Sequence, residues 1–173
     1  MMVQPTSRRG AQLEIRRATP EDAAGIWAML QPVIEEGETY ALDRGMKRED
    51  ALSYWMDSDK ETFVAEENAA LVGTYYLRAN QAGGGSHVAN CGYVTSREAS
   101  GRGVARQMCL HSIEHARSRS YRAMQFNFVV STNERAVRLW QSLGFTIAGR
   151  LPGAFRHPAA GFVDAFVMFR PLA

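Results

Sequence analysis

The sequence of 173 residues is poor in cysteine and lacks any long apolar run. A transmembrane helix needs about 18 consecutive apolar residues, and no stretch approaches that length. Cys91 and Cys109 lie in apolar segments without a Cys-x-x-Cys pair or a His/Cys cluster, which argues against a disulfide framework and a zinc site. No apolar segment follows the basic first ten residues, so no signal peptide is predicted. We therefore expect a cytoplasmic protein without a membrane partner or a metal.

The charge is nearly balanced, with 20 Lys and Arg against 18 Asp and Glu, a net charge of +2. A nucleic-acid-binding domain usually carries a basic patch or stripe, and none is evident, so no nucleic-acid partner is expected. The length and the 46% apolar content suit one compact core. We predict a disordered N-terminal tail over residues 1–10 and one domain over residues 11–173.

Apolar periodicity predicts the element order β, α, α, β, β, β, α, β, α, β, β, beginning with a strand over Leu13–Arg17. Thr19 followed by Pro20 marks the start of the first helix, and Pro32 should kink or end it. Ser131 and Glu134 have the spacing of a capping box at the start of the last helix.

The last two strands are predicted over Phe145–Arg150 and Phe162–Phe169, with a Pro/Gly/His loop between them. Antiparallel strands that precede β-α-β units indicate an α/β fold of the mixed α+β kind, with helices on both faces of one sheet.

The most specific local feature is the glycine-rich turn Ser100–Ala105, which follows a strand and opens a helix. The free N–H groups of a helix N-terminus bind phosphates, and glycines let the backbone approach them closely. Arg102 and Arg106 could add charge-assisted contacts or could face solvent. The turn is neither a G-x-G-x-x-G fingerprint nor a P-loop. A coenzyme A pyrophosphate and a plain connector both remain compatible with it.

Three segments together resemble the GNAT superfamily of acetyl-CoA-dependent N-acetyltransferases: Ile15–Thr19, Tyr93–Ala105 and Asn133–Phe145. The resemblance covers residues 12–170. It implies a mostly antiparallel central sheet that is splayed in the middle, and acetyl-CoA as co-substrate. It implies acetyl transfer to an amine by direct attack in a ternary complex, and it allows a homodimer.

Carried onto this sequence, the resemblance implies that acetyl-CoA binds to Tyr93, Val94, Thr95, Ser100, Gly101, Arg102, Gly103, Val104, Ala105, Arg106 and Asn133. Two positions depart from the family pattern. Ser100 stands where Arg or Gln is usual, which removes a side-chain contact but leaves the backbone cradle. Trp140 stands where a tyrosine is the proposed acid for the departing thiolate, and an indole N–H cannot fill that role.

Two amides stand inside predicted strands, where asparagine is unusual. Asn90 and Asn127 either hold the acetyl oxygen or the acceptor as catalytic groups, or satisfy irregular backbone where the sheet opens. The sequence does not identify the general base. The candidates are Glu36, Glu38, His87, Asp164 and a water molecule, and of these we place Glu36 in the catalytic set. His111 and His115 have metal-binding spacing, but a third ligand is not evident.

The acceptor site is expected near the segment after the first helix and near the loop at residues 152–158. Tyr40 and Phe155 could line it, and Arg156 could bind a carboxylate. Within the superfamily, these segments most resemble those of enzymes that acetylate small amino or imino acids, so we predict a small-molecule amine as the acceptor. A protein Lys or N-terminal acetyltransferase and a non-catalytic acyl-CoA-binding module are the alternatives.

Overall fold

The structure, a computed structural model, describes residues 13–172 as one mixed seven-stranded sheet flanked by helices. The strand order is β1-β2-β3-β4-β5-β7-β6, and all neighbours are antiparallel except β4 and β5. The strands are β1 Glu14–Arg17, β2 Glu61–Glu67, β3 Ala70–Ala79, β4 Val88–Thr95, β5 Ala123–Val130, β6 Thr146–His157 and β7 Gly161–Pro171. The α-helices are α1 Ala23–Glu36, α2 Arg48–Met56, α3 Val104–Ser118 and α4 Glu134–Ser142. The predicted fold class is confirmed.

The two faces of the sheet carry separate cores because successive strand residues point to opposite sides. On one face, Met108 and Ile113 of α3 belong to a buried cluster with Tyr75 and Leu77 of β3. On the other face, the buried residues of α1 and α2 cluster with Tyr76. Helices therefore cover both faces, as the sequence predicts.

The sheet opens between β4 and β5, its parallel pair. These strands are in register only at Val88↔Ala123 and Ala89↔Met124, and beyond that point they separate. The amide nitrogen of Asn90 donates to the carbonyl oxygen of Gln125 at 3.0 Å, immediately after the last paired residues. The predicted splay in the middle of the sheet is confirmed, and it leaves unpaired backbone along both strands.

Two local predictions about helix ends differ from the structure: α1 does not end at Pro32, and Ser131 does not cap α4. The helix α1 continues through Pro32 to Glu36 and ends at Gly37, which has a φ of 63°. Burial of Leu30 and Ile34 on either side of Pro32 holds the chain helical despite the lost hydrogen bond. The cap of α4 is Asn133, whose side-chain oxygen accepts from the Ala136 N–H at 3.3 Å.

Ser131 does not cap α4, because the helix begins at Glu134 and Asn133 occupies the cap position; the Ser131 N–H instead donates to the carbonyl oxygen of Asp164 in β7. Glu134 does not reach back to the cap either, and its carboxylate accepts from Arg138 at 3.0 Å. Tertiary pairing with β7 thus displaces the capping box that the local sequence favours.

The predicted loop at 152–158 is also wrong, since most of it belongs to β6. Phe155 pairs with Val163 and Arg156 with Phe162, after an irregularity in the register that begins at Leu151. Pro152 is tolerated because β6 is the edge strand and the irregularity frees its backbone from the ladder. The β6–β7 hairpin consequently extends further than the sequence suggested.

The predictions for residues 1–10 lie outside the described residues. None of the described helices combines the length and the apolar character that crossing a membrane would require.

Candidate active site

A cavity of about 690 Å³ runs through the split between β4 and β5 and reaches both faces of the sheet. On one face it is lined by the glycine-rich turn and α4, and we call this part the glycine side. On the other face it is lined by Tyr40, Tyr54, Tyr76 and Arg78, and we call this part the tyrosine side. Asn90 and Asn127 also line the cavity, so it brings together residues from most of the chain.

The glycine side is shaped by backbone conformations that favour glycine. Gly101 and Gly103 have φ values of 84° and 83°, in the left-handed region. A Cβ atom on Gly103 would have no neighbour within 4 Å, so the space beside this residue is open. The first N–H groups of α3 have no acceptor within the helix, because each helix begins with such unpaired donors. The turn therefore offers donors and a partial positive charge to an anion in the cavity.

Arginine side chains tie the turn to α4. Arg135 donates to the hydroxyl of Ser100 at 3.1 Å, and Arg106 donates to the hydroxyl of Ser142 at 3.1 Å. Ser100 thus anchors an arginine at the position where the family usually has Arg or Gln. Arg102 is bound to Glu67 and is absent from the cavity lining. The other predicted cofactor-binding residues all contribute to that lining.

The backbone of β4 presents alternate peptide groups to the split. The N–H of Ser96 donates to Val72, and the carbonyl of Val88 accepts from Asn80, so even-numbered residues of β4 turn their backbone toward β3. Odd-numbered residues turn theirs toward the split, because strand peptide groups alternate. The carbonyl oxygen of Tyr93 there accepts from the Tyr40 hydroxyl at 2.9 Å. The N–H groups on this edge face the cavity.

The side chain of Tyr93 points away from the tyrosine side into the α3 core. Its hydroxyl is 2.7 Å from the Ser112 hydroxyl, and burial raises the pKa of Tyr93 well above its usual value. Its ring lies 5.1 Å from that of Trp140, which is 8% exposed and also packs against Phe126. Tyr93 therefore offers the cavity its backbone, and Trp140 forms an apolar wall.

The tyrosine side is lined by three tyrosine hydroxyls, those of Tyr40, Tyr54 and Tyr76. Burial raises the pKa values of Tyr40 and Tyr76 well above that of free tyrosine. The hydroxyls of Tyr54 and Tyr76 are 3.4 Å apart, and the Tyr40 ring packs edge-on against Trp55 at 6.0 Å. These groups can position a polar ligand, and the raised pKa values of Tyr40 and Tyr76 mean that neither of those two hydroxyls is a base at neutral pH.

The two strand asparagines are held in fixed orientations. The Asn127 amide nitrogen donates to the Asn80 side chain at 2.6 Å, and its oxygen accepts from Gln125 at 2.9 Å. Asn90 is 6% exposed and bridges to β5, as described above. Both amides bond to backbone or side-chain partners where the sheet opens, as the structural interpretation expects. Both also line the cavity, and their catalytic role stays a prediction.

None of the four candidate side chains for the general base lines the cavity. Glu36 is exposed and bound to Arg97, and Glu38 and His87 are exposed. Asp164 accepts from the Gly153 N–H at 2.8 Å and pairs with Arg150, contacts that lower its pKa. Among the described residues, the cavity lining contains no Asp, Glu or His.

The predicted acceptor residues divide between two pockets. Tyr40 lines both the cavity and an adjoining pocket of about 390 Å³, which Phe155 and Arg156 also line. Phe155 is 7% exposed and its ring lies 6.1 Å from that of Phe128, a cavity residue. Arg156 is exposed and contributes to the adjoining pocket, not to the cavity itself.

The sequence analysis did not single out Tyr54, Tyr76 or Arg78. A signal existed for Arg78, since it is a charged residue at the end of a strand whose preceding residues are buried. No comparable signal marks the two tyrosines, because aromatic residues at helix and strand positions are typical of a core.

The histidine pair has structural partners. His111 lies 2.7 Å from the Tyr75 hydroxyl, and His115 is 2.9 Å from Glu61. Within residues 13–172, no group of three or more His, Cys, Asp or Glu side chains is arranged to hold a metal ion.

Comparison with known proteins gives a consistent result. Residues 27–145 match the model of the Acetyltransferase (GNAT) family. The chain is 30% identical over 151 residues to the N-acetyltransferase aca1 of Schizosaccharomyces pombe, a match that covers 78% of this chain and 72% of that protein.

Solved structures with the same fold include proteins described as acetyltransferases. A GCN5-related N-acetyltransferase from Kribbella flavida is 40% identical, with a TM-score of 0.88 over 92% of this chain and 97% of that one. The yncA protein of Salmonella typhimurium, solved with its cofactor acetyl-CoA, has a TM-score of 0.83 over 94% of this chain and 95% of that one. Its identity of 21% shows a shared fold alone.

Proposed function

The chain belongs to the Acetyltransferase (GNAT) family, and from this premise we propose that it acetylates the primary or secondary amine of a small, amino-acid-like molecule. The acetyl group comes from acetyl-CoA, and the amine attacks it directly in a ternary complex. One observation carries the proposal: a single cavity joins the glycine-rich turn on one face of the sheet to a tyrosine-lined chamber on the other. Such a cavity can hold two substrates in contact, which is the main requirement of the reaction.

We place the pyrophosphate of acetyl-CoA on the glycine side. Apart from the Arg102 N–H, which donates to the Ala99 carbonyl oxygen at 3.2 Å, the N–H groups of Gly101–Arg106 and the partial charge of α3 favour a negative group there. Arg106 and Arg135 line the same region and add positive charge. Asn133 caps α4 beside them, and the space next to Gly103 leaves room for phosphate oxygens.

The pantetheine arm then lies in the split as an added strand against β4. The peptide groups of Tyr93 and Thr95 face this space, and an N–H on this edge can donate to the thioester carbonyl as negative charge develops on its oxygen. Asn90 and Asn127 border the same region and would fix the acetyl oxygen or the acceptor. The backbone supplies this contact, so substitution of Val94 should change activity little.

Glu36 as the general base stays a prediction, and its position gives it little support. Because the described part of the cavity lining has no carboxylate or imidazole, we propose that water accepts the proton of the amine. The acceptor then binds and reacts as the neutral amine, and the pH sets the fraction of acceptor molecules that are in this form.

The aromatic lining of the tyrosine side favours a small acceptor over a peptide. Tyr40 and Tyr54 line it, and Phe155, which lies in the extended β6–β7 hairpin, lines the adjoining pocket together with Tyr40. A protein acetyltransferase requires an open groove that accepts an extended chain. The chamber described here is walled by aromatic rings on several sides.

The test is release of coenzyme A thiol from acetyl-CoA with a panel of the common L-amino acids, L-proline homologues, simple amines and short peptides. We expect turnover with free amino or imino acids and background rates with peptides. Turnover with peptides alone would refute the small-molecule acceptor. Binding of acetyl-CoA without turnover on any member would instead favour the acyl-CoA-binding module.

A further inference from the structure

The charges that line the cavity are all of one sign within the described residues. Its lining includes Arg78, Arg106 and Arg135 and no carboxylate. Arg106 and Arg135 stand on the glycine side, where the pyrophosphate of acetyl-CoA is proposed to bind. Arg78 stands on the tyrosine side, with no pyrophosphate to neutralise it. The acceptor chamber therefore holds a cation of its own.

Arg78 is placed beside the point where the sheet opens. It lies in β3 in register with Asn90 of β4, and register partners project from the same face of a sheet with Cβ atoms about 5 Å apart. Asn90 in turn reaches across to β5 at the base of the split. The Arg78 side chain thus borders the end of the split that is furthest along β4 from the glycine-rich turn.

The guanidinium of Arg78 is incompletely satisfied. Its Nη1 donates to Asp59 at 3.3 Å, a long hydrogen bond to a carboxylate that is 52% exposed. Its Nε is buried and has no hydrogen-bond partner among the described residues. Buried polar groups are nearly always paired, so the unpaired Nε indicates that the guanidinium has not made all of its hydrogen bonds, and a shift of this side chain toward the cavity that it lines would bring it to a partner there.

A second cation adds to the imbalance. Lys60 also binds Asp59, at 2.8 Å, although its side chain is only 5% exposed. Its ammonium lies 5.2 Å and 5.7 Å from the ring centroids of Tyr54 and Tyr76, two walls of the tyrosine side. Two cations therefore share one half-exposed carboxylate, and the chamber keeps a net positive charge.

We propose that Arg78 binds a carboxylate of the acceptor, which makes the acceptor an amino acid or a close analogue and not a simple amine. The planar guanidinium matches a carboxylate in a two-point geometry, and Lys60 strengthens the field without needing direct contact. The long bond to Asp59 can be shared or given up when the acceptor binds. This inference rests on the proposed small-molecule acetyltransferase function.

The distances suit a short acceptor. The chain rises by about 3.3 Å per residue in a strand, so the peptide groups of Cys91 and Tyr93 lie roughly 3 to 10 Å along β4 from the level of Arg78 and Asn90. An α- or β-amino acid bound through its carboxylate to the extended Arg78 side chain can present its amine to a thioester held along that stretch. Arg156, exposed in the adjoining pocket, is the competing carboxylate site.

The experiment compares matched acceptors and matched variants. The acceptors are the common L-amino acids and L-proline, each beside its carboxamide, which keeps the amine and removes the negative charge. The variants are Arg78→Met, which keeps the length of the side chain, Arg78→Lys, and Arg156→Met as the control. Thiol release gives kcat and KM, and calorimetry with acetyl-CoA shows whether each variant retains its fold and its cofactor site.

We expect the wild type to prefer acids over carboxamides and Arg78→Met to lose about 10- to 100-fold in kcat/KM for acids, mainly through KM. The same variant should keep its acetyl-CoA affinity and should lose much less kcat/KM with carboxamides than with acids, Arg78→Lys should recover part of the loss with acids, and Arg156→Met should keep the wild-type preference for acids over carboxamides. If Arg78→Met keeps the preference for acids, or if only Arg156→Met loses it, the inference is wrong and the acetyltransferase function stands. If the wild type turns over neither acids nor carboxamides, the proposed function fails and the inference with it.

Discussion

The substitution Gly103→Glu tests the position of acetyl-CoA most directly. It places a carboxylate in the open space beside residue 103, whose φ is 83°. No described atom lies within 4 Å of the new Cβ, so the change introduces no steric clash inside the protein. A non-glycine residue in the left-handed region costs about 1–2 kcal/mol of stability, which lowers the Tm by a few degrees in a chain of this size.

The effect on binding is electrostatic. A carboxylate about 6 Å from a phosphate charge, at an effective dielectric constant of about 20, costs about 3 kcal/mol per pair of charges. That energy corresponds to about a 100-fold weaker Kd for acetyl-CoA. Gly103→Gln has nearly the same shape without the charge, so the difference between the two variants isolates the charge. Raising the salt concentration should shrink that difference.

Gly83→Glu is the matched control. Gly83 also has a positive φ, of 56°, and open space beside its Cβ position, but it does not line the cavity. Calorimetric titration with acetyl-CoA should therefore give wild-type affinity for Gly83→Glu at a comparable loss of stability. If Gly103→Glu binds acetyl-CoA within about threefold of Gly83→Glu, the pyrophosphate does not lie at the glycine-rich turn.

Further measurements follow from individual contacts. Glu36→Gln should keep kcat/KM within about threefold in the thiol-release assay, and a larger loss would restore Glu36 as the base. With water as proton acceptor, log kcat/KM should rise steadily with pH up to the pKa of the acceptor amine. Tyr40→Phe, which deletes the hydrogen bond to Tyr93, should lower kcat/KM by about tenfold. The hydrogen bond from Arg16 lowers the pKa of Asp22 to about 2, so denaturation titrations should lose roughly 1–2 kcal/mol between about pH 4 and pH 2, and Asp22→Asn should remove that loss.

The fold was predictable because its signals are local and repeated. Apolar periodicity marked the helices and strands, and the glycine-rich turn fixed where α3 begins. The errors arose where tertiary contacts override local preference. Ser131 has the chemistry of a helix cap but is held by β7, and Pro152 marks a turn in most sequences but lies in an edge strand whose register is irregular there.

The active site was only partly predictable, for a related reason. The cofactor segment is continuous in sequence, and the structure places nearly all of its residues along one cavity. The tyrosine side, which we propose as the acceptor chamber, is assembled from α2, β3 and the segment after α1, which are separate parts of the chain. The importance of Arg78 depends on a buried nitrogen without a partner and on a neighbour that already binds Lys60. No spacing in the sequence expresses either condition.

Two features have the same explanation: Trp140 in place of the usual tyrosine, and the absence of acidic side chains from the described cavity lining. The Trp140 ring is packed against Tyr93 and Phe126, and the hydroxyl of Tyr93 is directed to Ser112, so neither residue offers a proton to the leaving sulfur. An alkyl thiol has a pKa near 8.5, which makes a thiolate a far better leaving group than the anion of an amine. The collapsing intermediate can therefore expel the thiolate unaided once the amine has lost its proton to water. An enzyme with both proton steps left to solvent needs from its residues the alignment of thioester and amine, and we propose that the backbone of β4 along the split, together with Asn90 and Asn127, provides that alignment.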